Sequence, residues 1–562
     1  MVEPELLIVI FALAMKFQVS LGPRAIKECI NTRFAGREPW QVAAITATSV
    51  LAGVWVWNIV FQPESIVSRG KKFFFRMARK IPAVANKINK ELSKISSDFE
   101  KDVKERMGHT NYNRVLQVKG KSKEEIIEEL KKNLDLGHYR WDKGFVSGAV
   151  YYFSPELINL LTEVYGLASY TNPLHADIFP GVNKMESEVV SISTDLFHGS
   201  SKACGTMTSG GTESIIMACK AFRDYGREER GITNPEMILP RTAHPAFEKA
   251  AFYFGIRICY IPVDPLTTSV IIKKVKQAIN SNTIMIVGSV PNYPYGTMDD
   301  IEALASLGRR YGVPVHVDCC LGGFLTAFMP QAGFELPPFD FSVPGVTSIS
   351  ADTHKYGFAP KGSSVVLYSK PEYRHYQYCV TTDWPGGVYG SPTINGSRAG
   401  GIIAACWATL MYFGLEGYVK STRKIIETTK YIERELRMIP EIFIFGKPIT
   451  SVIAIGSEVF HIYRLSEILN DLGWNLNPLQ FPPGVHLCVT HMHVAEGIAD
   501  RFVQDVKNTV KIIMNDPKSE VKGKMAMYGK SQSIPDRSIV SDFTKLYLDS
   551  TYYVPHEANS SN

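Results

Sequence analysis

Ser350-Ala-Asp-Thr-His-Lys-Tyr-Gly357 follows a short apolar run at 346–349 and sets a lysine among small and polar residues instead of on a solvated helix face. A lysine in that setting fits a nucleophile that condenses with a carbonyl, for which its pKa must be lowered toward neutrality. Upstream, Val315-His-Val-Asp-Cys-Cys-Leu-Gly-Gly323 ends an apolar run on Asp318, and its glycines let the backbone turn sharply. A carboxylate there costs desolvation unless a cation meets it, and a protonated ring nitrogen would serve. About a hundred residues earlier, Thr208-Ser-Gly-Gly-Thr-Glu-Ser214 is a Gly-rich turn opening a helix. Its free backbone N–H groups and the hydroxyls of Thr212 and Ser214 are expected to face an anion. Between these segments, His244 in Arg241-Thr-Ala-His-Pro-Ala-Phe247 can stack over a flat ring.

Outward from these segments, short apolar runs alternate with helical patterns. Runs at 237–240, 258–263, 283–290, 313–317 and 363–368 read as buried strands, and 213–225, 266–279 and 299–311 carry apolar residues at helical spacing. Such repetition builds an α/β fold with a mostly parallel sheet and helices on both faces, which binds ligands at the carboxyl ends of its strands. From about Ala399 the pattern changes to two long helices, at 400–413 and 418–438. Short elements at 442–445, 451–455, 462–471 and 485–489 and a helix at 498–514 follow, the pattern of a smaller α+β domain. The polar, Ser-rich tail from Asp516 is expected to be loosely ordered or to wrap the core.

Near the other end, residues 40–61 read WQVAAITATSVLAGVWVWNIVF, twenty-two residues without a charge and edged by tryptophan. That is the length and aromatic edging of one bilayer span. A shorter apolar run at 6–15 follows an acidic start, unlike a signal peptide, and reads as an uncleaved N-terminal segment. Arg24, Lys27, Arg33 and Arg37 precede the span, whereas Arg69, Lys71, Lys72, Arg76, Arg79 and Lys80 follow it, favouring a cytosolic C-terminal side. Residues 62–106 hold twelve basic and six acidic side chains interleaved with Phe73, Phe74 and Phe75, which suits an amphipathic stalk on anionic lipid. The chain's formal charge of +6 equals the excess in that stalk, so it does not point to nucleic acid. Nine cysteines without CxxC spacing speak for a reducing compartment and against a zinc site.

Together, a phosphate turn, an aspartate at a strand end, a histidine able to stack and a lysine among small residues match pyridoxal 5'-phosphate chemistry, with no metal. The chain also resembles the fold-type I, group II decarboxylase-like pyridoxal phosphate enzymes, and within them the sphingosine-1-phosphate lyase branch. The resemblance is carried by SxxxHKYGxxxKGSS at 350–364, TSGGTES at 208–214, HVDCCLGGF at 316–324, YTNPLHADIFPG at 170–181 and TDWPGGVYGSPTINGSRAGG at 382–401. Amino-acid decarboxylases of the group typically show Asn-Pro-His-Lys where this chain has Asp-Thr-His-Lys. It departs from the vertebrate members of the branch in Cys319, where alanine is usual, and in Ser-Gly-Ala-Val-Tyr-Tyr at 147–152.

The resemblance implies an aspartate aminotransferase-like fold in which Lys355 is the Schiff-base lysine, Asp318 pairs the ring nitrogen and His244 stacks on the ring. It implies that Gly210, Gly211, Thr212 and His354 hold the cofactor, with Ser397 reaching its phosphate across a homodimer interface. Tyr151, Asn172, His175, Lys361 and Tyr389 are similar to residues the family uses around the substrate's phosphate and scissile bond. The implied reaction cleaves the C2–C3 bond of a phosphorylated sphingoid base, and His175, Tyr389, Lys355 or the phosphate qualifies as base for the C3 hydroxyl. The implied organisation is a luminal segment at 1–39, a transmembrane helix at 40–61, a stalk at 62–107, an arm at 108–170, a large cofactor-binding domain at 171–398, a small domain at 399–515 and a tail at 516–562. The implied location is the endoplasmic reticulum membrane, single-pass, with the catalytic domain cytosolic and membrane lipid and the phosphorylated substrate as partners.

Overall fold

Alternate residues along the central strands go to different cores. Met237, Leu239, Val366 and Tyr368 join one buried cluster, whereas Ile238, Val365 and Leu367 join another. Period-two burial on both faces is what an inner α/β strand requires, and it explains the continuous apolar runs. The computed structural model describes residues 23–60, 66–107, 112–521, 525, 529, 532, 534 and 536–555; the apolar run at 6–15 lies outside them. The chain divides into two compact units, Lys121–Ser533, and Met1–Gly120 with Ile534–Asn562.

In the first unit the main sheet comprises β1 (Cys204–Thr208), β2 (Glu236–Pro240), β3 (Arg257–Ile261), β4 (Thr283–Ser289), β5 (Val315–Asp318), β6 (Val346–Ala351) and β7 (Ser364–Tyr368). Their order is β1-β7-β6-β5-β4-β2-β3. Strands β3, β2, β4, β5 and β6 pair in parallel, and β7 is antiparallel to both β6 and β1. The carboxyl ends of β1, β2, β5 and β6 therefore share one edge, where segments distant in sequence meet. The mostly parallel sheet is the one expected, but two local expectations fail. Strand β1, Cys-Gly-Thr-Met-Thr, is too polar to read as an apolar run, although Thr206, Met207 and Thr208 are buried. The helix expected at 266–279 starts only at Ile272, because the Asp264 carboxylate accepts the N–H groups of Leu266 and Thr267 and holds them in a turn.

A hairpin of β8 (Cys379–Thr381) and β9 (Tyr389–Ser391) follows, then an antiparallel sheet of β10 (Phe443–Ile444), β11 (Val452–Gly456), β12 (Asn477–Leu479) and β13 (Gly484–Cys488). The helix Gly400–Leu436 is long and apolar enough to cross a bilayer. It is a core helix instead, since Ile403, Ala404, Ile425 and Ile432 are buried within the unit. Gly414, at φ 53° and ψ −176°, breaks it inside the gap the sequence leaves between two helices, and only glycine takes that conformation easily.

The other unit holds the helices Pro23–Phe34, Pro39–Val60, Ile66–Ala78, Pro82–Met107 and Arg537–Thr551. Residues 40–60 of the uncharged stretch lie in one unbroken helix, Pro39–Val60, with Trp40, Val50, Leu51, Val54 and Trp55 exposed. The tail departs from expectation, because Arg537–Thr551 packs on the helix Pro82–Met107. Phe99 meets Tyr547 edge to face at 5.7 Å, and Arg79 pairs with Asp542 at 2.7 Å. The serine content hid the helical spacing of Ile539, Val540, Phe543 and Leu546, which are half-buried.

Candidate active site

Strand β6 ends at Ala351, and the next four residues deliver the lysine. Asp352 is 2% exposed, and its Oδ2 lies 2.8 Å from Lys355 Nζ. Burial pulls the lysine's pKa down, but the Asp352 carboxylate, with Cys320 and Asp318, outweighs it and leaves the pKa above its ordinary value. Lys355 is therefore an ammonium ion here, not the low-pKa amine the sequence suggests, because that reading weighed desolvation and overlooked an acid three residues earlier. Neighbours fix the loop: Thr353 donates to Ser363 Oγ at 2.7 Å, His354 Nδ1 to the Ser363 carbonyl, and Tyr418 to the Gly357 carbonyl at 2.7 Å. Buried Tyr356 hydrogen-bonds with Ser451 and with the Val489 carbonyl, tying the loop to β11 and β13.

Asp318 ends β5 opposite Ser350 of β6. Its Oδ1 accepts the Cys320 N–H at 3.0 Å and the Ser350 hydroxyl at 3.3 Å, leaving Oδ2 uncommitted among the described residues. Behind it, His316 hydrogen-bonds with Ser348 and Ser350 at 2.7 and 3.1 Å, and burial drops its pKa to about 4. His244, just past β2, accepts the Ala246 N–H on Nδ1 at 3.2 Å. Burial lowers its pKa, partly opposed by Asp318, so the ring is neutral near pH 7.

Strand β1 passes through Ser209 and Gly210 into the helix Gly211–Arg230. The Glu213 carboxylate turns back to accept the Ser209 N–H at 2.7 Å and hydroxyl at 2.6 Å, and also takes the Ile394 N–H at 3.1 Å. A Cβ on Gly211 would lie 2.7 and 2.8 Å from the Asp352 carboxylate oxygens and 2.9 Å from Cys320 Sγ, so only glycine brings this turn so close to the lysine loop. Thr212 is exposed at the helix start. Ser214 does not face the anion seat as expected: it is fully buried, and its hydroxyl joins Thr208 at 2.6 Å and Ser364 at 2.8 Å in a chain ending on the Ala351 carbonyl. The Asp352 Oδ1 atom is buried without a hydrogen-bond partner. A lysine, a carboxylate with a spare oxygen, a neutral imidazole and helix-terminal N–H groups together suit an aldehyde, a ring nitrogen, a ring face and a phosphate. The residues present fit pyridoxal 5'-phosphate.

Lys361 and Tyr151 extend this neighbourhood. Lys361 Nζ lies 4.8 Å from the centre of the Tyr151 ring and donates to the His354 carbonyl at 3.4 Å. Desolvation by the surrounding walls, then the charge of Lys355, lowers its pKa. Four other expected residues lie apart. Asn172 Oδ1 accepts the N–H groups of Leu174 and Arg398, each at 3.1 Å, so its oxygen is structural and its amide nitrogen is what it can present. His175 and Ser397 are exposed on loops, and Tyr389 opens β9 with its hydroxyl 2.7 Å from where a Cβ on Gly396 would sit. Among the described residues, no hydrogen bond or ion pair links these four to Lys355, Asp318 or His244 within one chain.

Sequence reasoning missed Asp352, Glu213 and Tyr356. An acid three before the lysine at a strand end, and a glutamate at the third helical position, are readable signals for the first two. Tyr356 acts on the other sheet, 95 residues on at Ser451, and no local pattern announces that.

Residues 105–455 match the family model described as the pyridoxal-dependent decarboxylase conserved domain. The chain is 59% identical over 534 residues to the sphingosine-1-phosphate lyase of Drosophila melanogaster, covering 95% of this chain and 98% of that one. It is 47% identical over 527 residues to sphingosine-1-phosphate lyase 1 of Mus musculus, covering 94% and 92%. The solved structure of the Burkholderia pseudomallei sphingosine-1-phosphate lyase superposes with a TM-score of 0.74 at 40% identity, covering 80% of this chain and 99% of that one.

Proposed function

The chain belongs to the pyridoxal-dependent decarboxylase family, and on that premise we propose that it is a pyridoxal phosphate-dependent lyase of phosphorylated sphingoid bases. It cleaves the C2–C3 bond of sphingosine 1-phosphate or dihydrosphingosine 1-phosphate to a long-chain aldehyde and phosphoethanolamine, a step of sphingolipid degradation. The observation that carries this reading is a pair of lysines six residues apart, Lys355 held by Asp352 at the sheet edge and Lys361 over Tyr151. One suits the cofactor, and the other suits a second phosphate, which an amino-acid substrate lacks.

When bound, the cofactor takes up the electrons released as C2–C3 breaks. Lys355 would hold its aldehyde, Asp318 would keep the ring nitrogen protonated, and His244 would cover the ring. Gly210, Gly211 and Thr212 would hold its phosphate, together with Ser397 from a second copy, and His354 would lie against the cofactor. Tyr151, Asn172, His175, Lys361 and Tyr389 surround the substrate's phosphate and scissile bond, with Lys361 and His175 supplying cations and donors to the phosphate. His175, Tyr389, Lys355 or the substrate phosphate accepts the C3 hydroxyl proton. The exposure of His175 and Ser397 supports a homodimer, since such positions become site residues once another copy covers them.

We also propose that residues 40–61 form a single membrane span in the endoplasmic reticulum, with a short luminal N-terminus and a cytosolic catalytic unit. Twenty-two uncharged residues and the exposed Trp40 and Trp55 support it. Residues 62–107 then form a stalk, 108–170 an arm, 171–398 the large domain and 399–515 the small one. Protection of the large domain from protease in sealed microsomes would refute this orientation. The reaction is tested by incubating purified full chain with a labelled phosphorylated sphingoid base. Aldehyde release is expected; carbon dioxide from amino acids with no aldehyde overturns the assignment.

A further inference from the structure

The two faces of the strand pair β5 and β6 differ in chemistry. Val315, Val317 and Ile349 join an apolar core cluster, whereas His316, Asp318, Ser348 and Ser350 lie on the opposite face and are buried as well. The register sets His316 beside Ser348 and Asp318 beside Ser350, so the four polar side chains form one block across the two strands. Hydrogen bonds run through it in a single line. Ser348 Oγ lies 2.7 Å from His316 Nδ1, His316 Nε2 lies 3.1 Å from Ser350 Oγ, and Ser350 Oγ lies 3.3 Å from Asp318 Oδ1. Fully buried Phe247 stands edge to face against the His316 ring at 5.9 Å and holds its plane. Polar side chains buried on an inner strand cost desolvation unless paired, and the charged member of this row, Asp318, stands at its end.

Counting protons gives the line a direction. Each serine hydroxyl carries one proton and a neutral imidazole carries one, so two arrangements are open. In one, Ser348 donates to Nδ1, the Nε2–H donates to Ser350, and Ser350 donates to Asp318. In the other, the Nδ1–H donates to Ser348, Ser350 donates to Nε2, and Asp318 Oδ1 keeps only the Cys320 N–H. A bond to an ionised acceptor outweighs one between neutral groups, so the first arrangement is the stable one. Burial keeps His316 neutral near pH 7, and no imidazolium competes for the carboxylate. We propose that His316 is a positioning residue: through Ser350 it engages Oδ1 of ionised Asp318 and leaves Oδ2 for the protonated ring nitrogen of the cofactor. The proposal rests on the pairing of Asp318 with that nitrogen in the lyase reading, and adds the two residues that keep the pair charged. Without the line the carboxylate is a stronger base and draws the proton away from the ring.

The test loads the full chain with pyridoxal phosphate labelled with heavy nitrogen in its ring. It reads the ring-nitrogen shift by nuclear magnetic resonance, beside cofactor affinity and Tm. The wild type is expected to show a protonated ring nitrogen. His316→Phe keeps a flat ring but has no donor. It is expected to move the shift toward the unprotonated value, to weaken cofactor binding about tenfold, and to lower kcat about tenfold with the substrate KM little changed. His316→Gln, whose amide N–H can stand where the Nε2–H was, is expected to restore the shift. Ser350→Ala, which removes the hydroxyl between the two, is expected to repeat the His316→Phe shift and serves if that variant does not fold. In the double variant the two effects should not add, because both break one line. A nitrogen that stays protonated in the single variants while Tm falls overturns the proposal. So do additive effects, or a glutamine variant no better than the phenylalanine one. An unprotonated ring nitrogen in the wild type overturns instead the pairing with Asp318 on which the proposal rests.

Discussion

Two groups of residues expected at the site are held in different ways. Lys355, Asp318, His244 and Gly211 sit at the carboxyl edge of the main sheet, each with partners inside one chain. Asn172, His175, Tyr389 and Ser397 sit on loops and on the β8–β9 hairpin, with His175 and Ser397 exposed. A sheet edge buried on both faces fixes side chains without help, whereas a surface loop is fixed by whatever covers it. The comparison separates the part of the chemistry that one folded chain prepares from the part that we assign to an assembled pair.

The largest expected effect tests the buried group. Lys355→Ala should reduce turnover to the detection limit at every protein concentration while far-ultraviolet circular dichroism stays unchanged; residual turnover sinks the assignment. The sharpest test of the contrast mixes two inactive proteins, Lys355→Ala and Tyr389→Phe. If each site draws on both copies, mixed dimers regain activity that neither parent has, and no recovery would return all residues to one chain. Lys361→Gln should lower kcat/KM by about 10- to 100-fold, the scale of a charge-assisted hydrogen bond, with the cofactor absorbance intact.

Acid should weaken the fold. His316, His486 and His493 are buried, with pKa values lowered to about 4 by desolvation. An unfolded chain binds these protons near the ordinary value of about 6.5. Between about 6.5 and 4 the unfolded state therefore holds more protons, and stability falls as pH falls. Calorimetry should show Tm dropping across that window, and a flat Tm would contradict the burial of these rings. The smallest effect belongs to the exposed group: Ser397→Ala should weaken cofactor binding only a few-fold, one neutral hydrogen bond's worth, by spectroscopic titration.

Much of the buried half was legible in the sequence because its signals are local. The strands β2, β4, β5 and β7 are apolar runs, Gly211 marks a close backbone approach, and the break at Gly414 lies between two helical patterns. What escaped depended on contacts across the fold. Ser214 reads as a ligand for an anion until Ser364, 150 residues away, takes its hydroxyl. Lys355 reads as a low-pKa amine until the turn after β6 brings Asp352 onto it. The tail reads as polar chain until Phe99 and Arg79 supply its partners.

The sequence by itself determined the α/β class, the cofactor class and an uncharged stretch of bilayer length, and it singled out Lys355 as the lysine to propose for the cofactor, since each follows from residue type and periodicity within a short window. Only the tertiary structure decided that four strand ends share one edge, that Lys355 is paired with Asp352, and that Ser350 carries a line of hydrogen bonds from His316 to Asp318. These are relations between segments separated by tens to hundreds of residues, and they are set by which strand pairs with which and by what each buried polar atom finds as its partner.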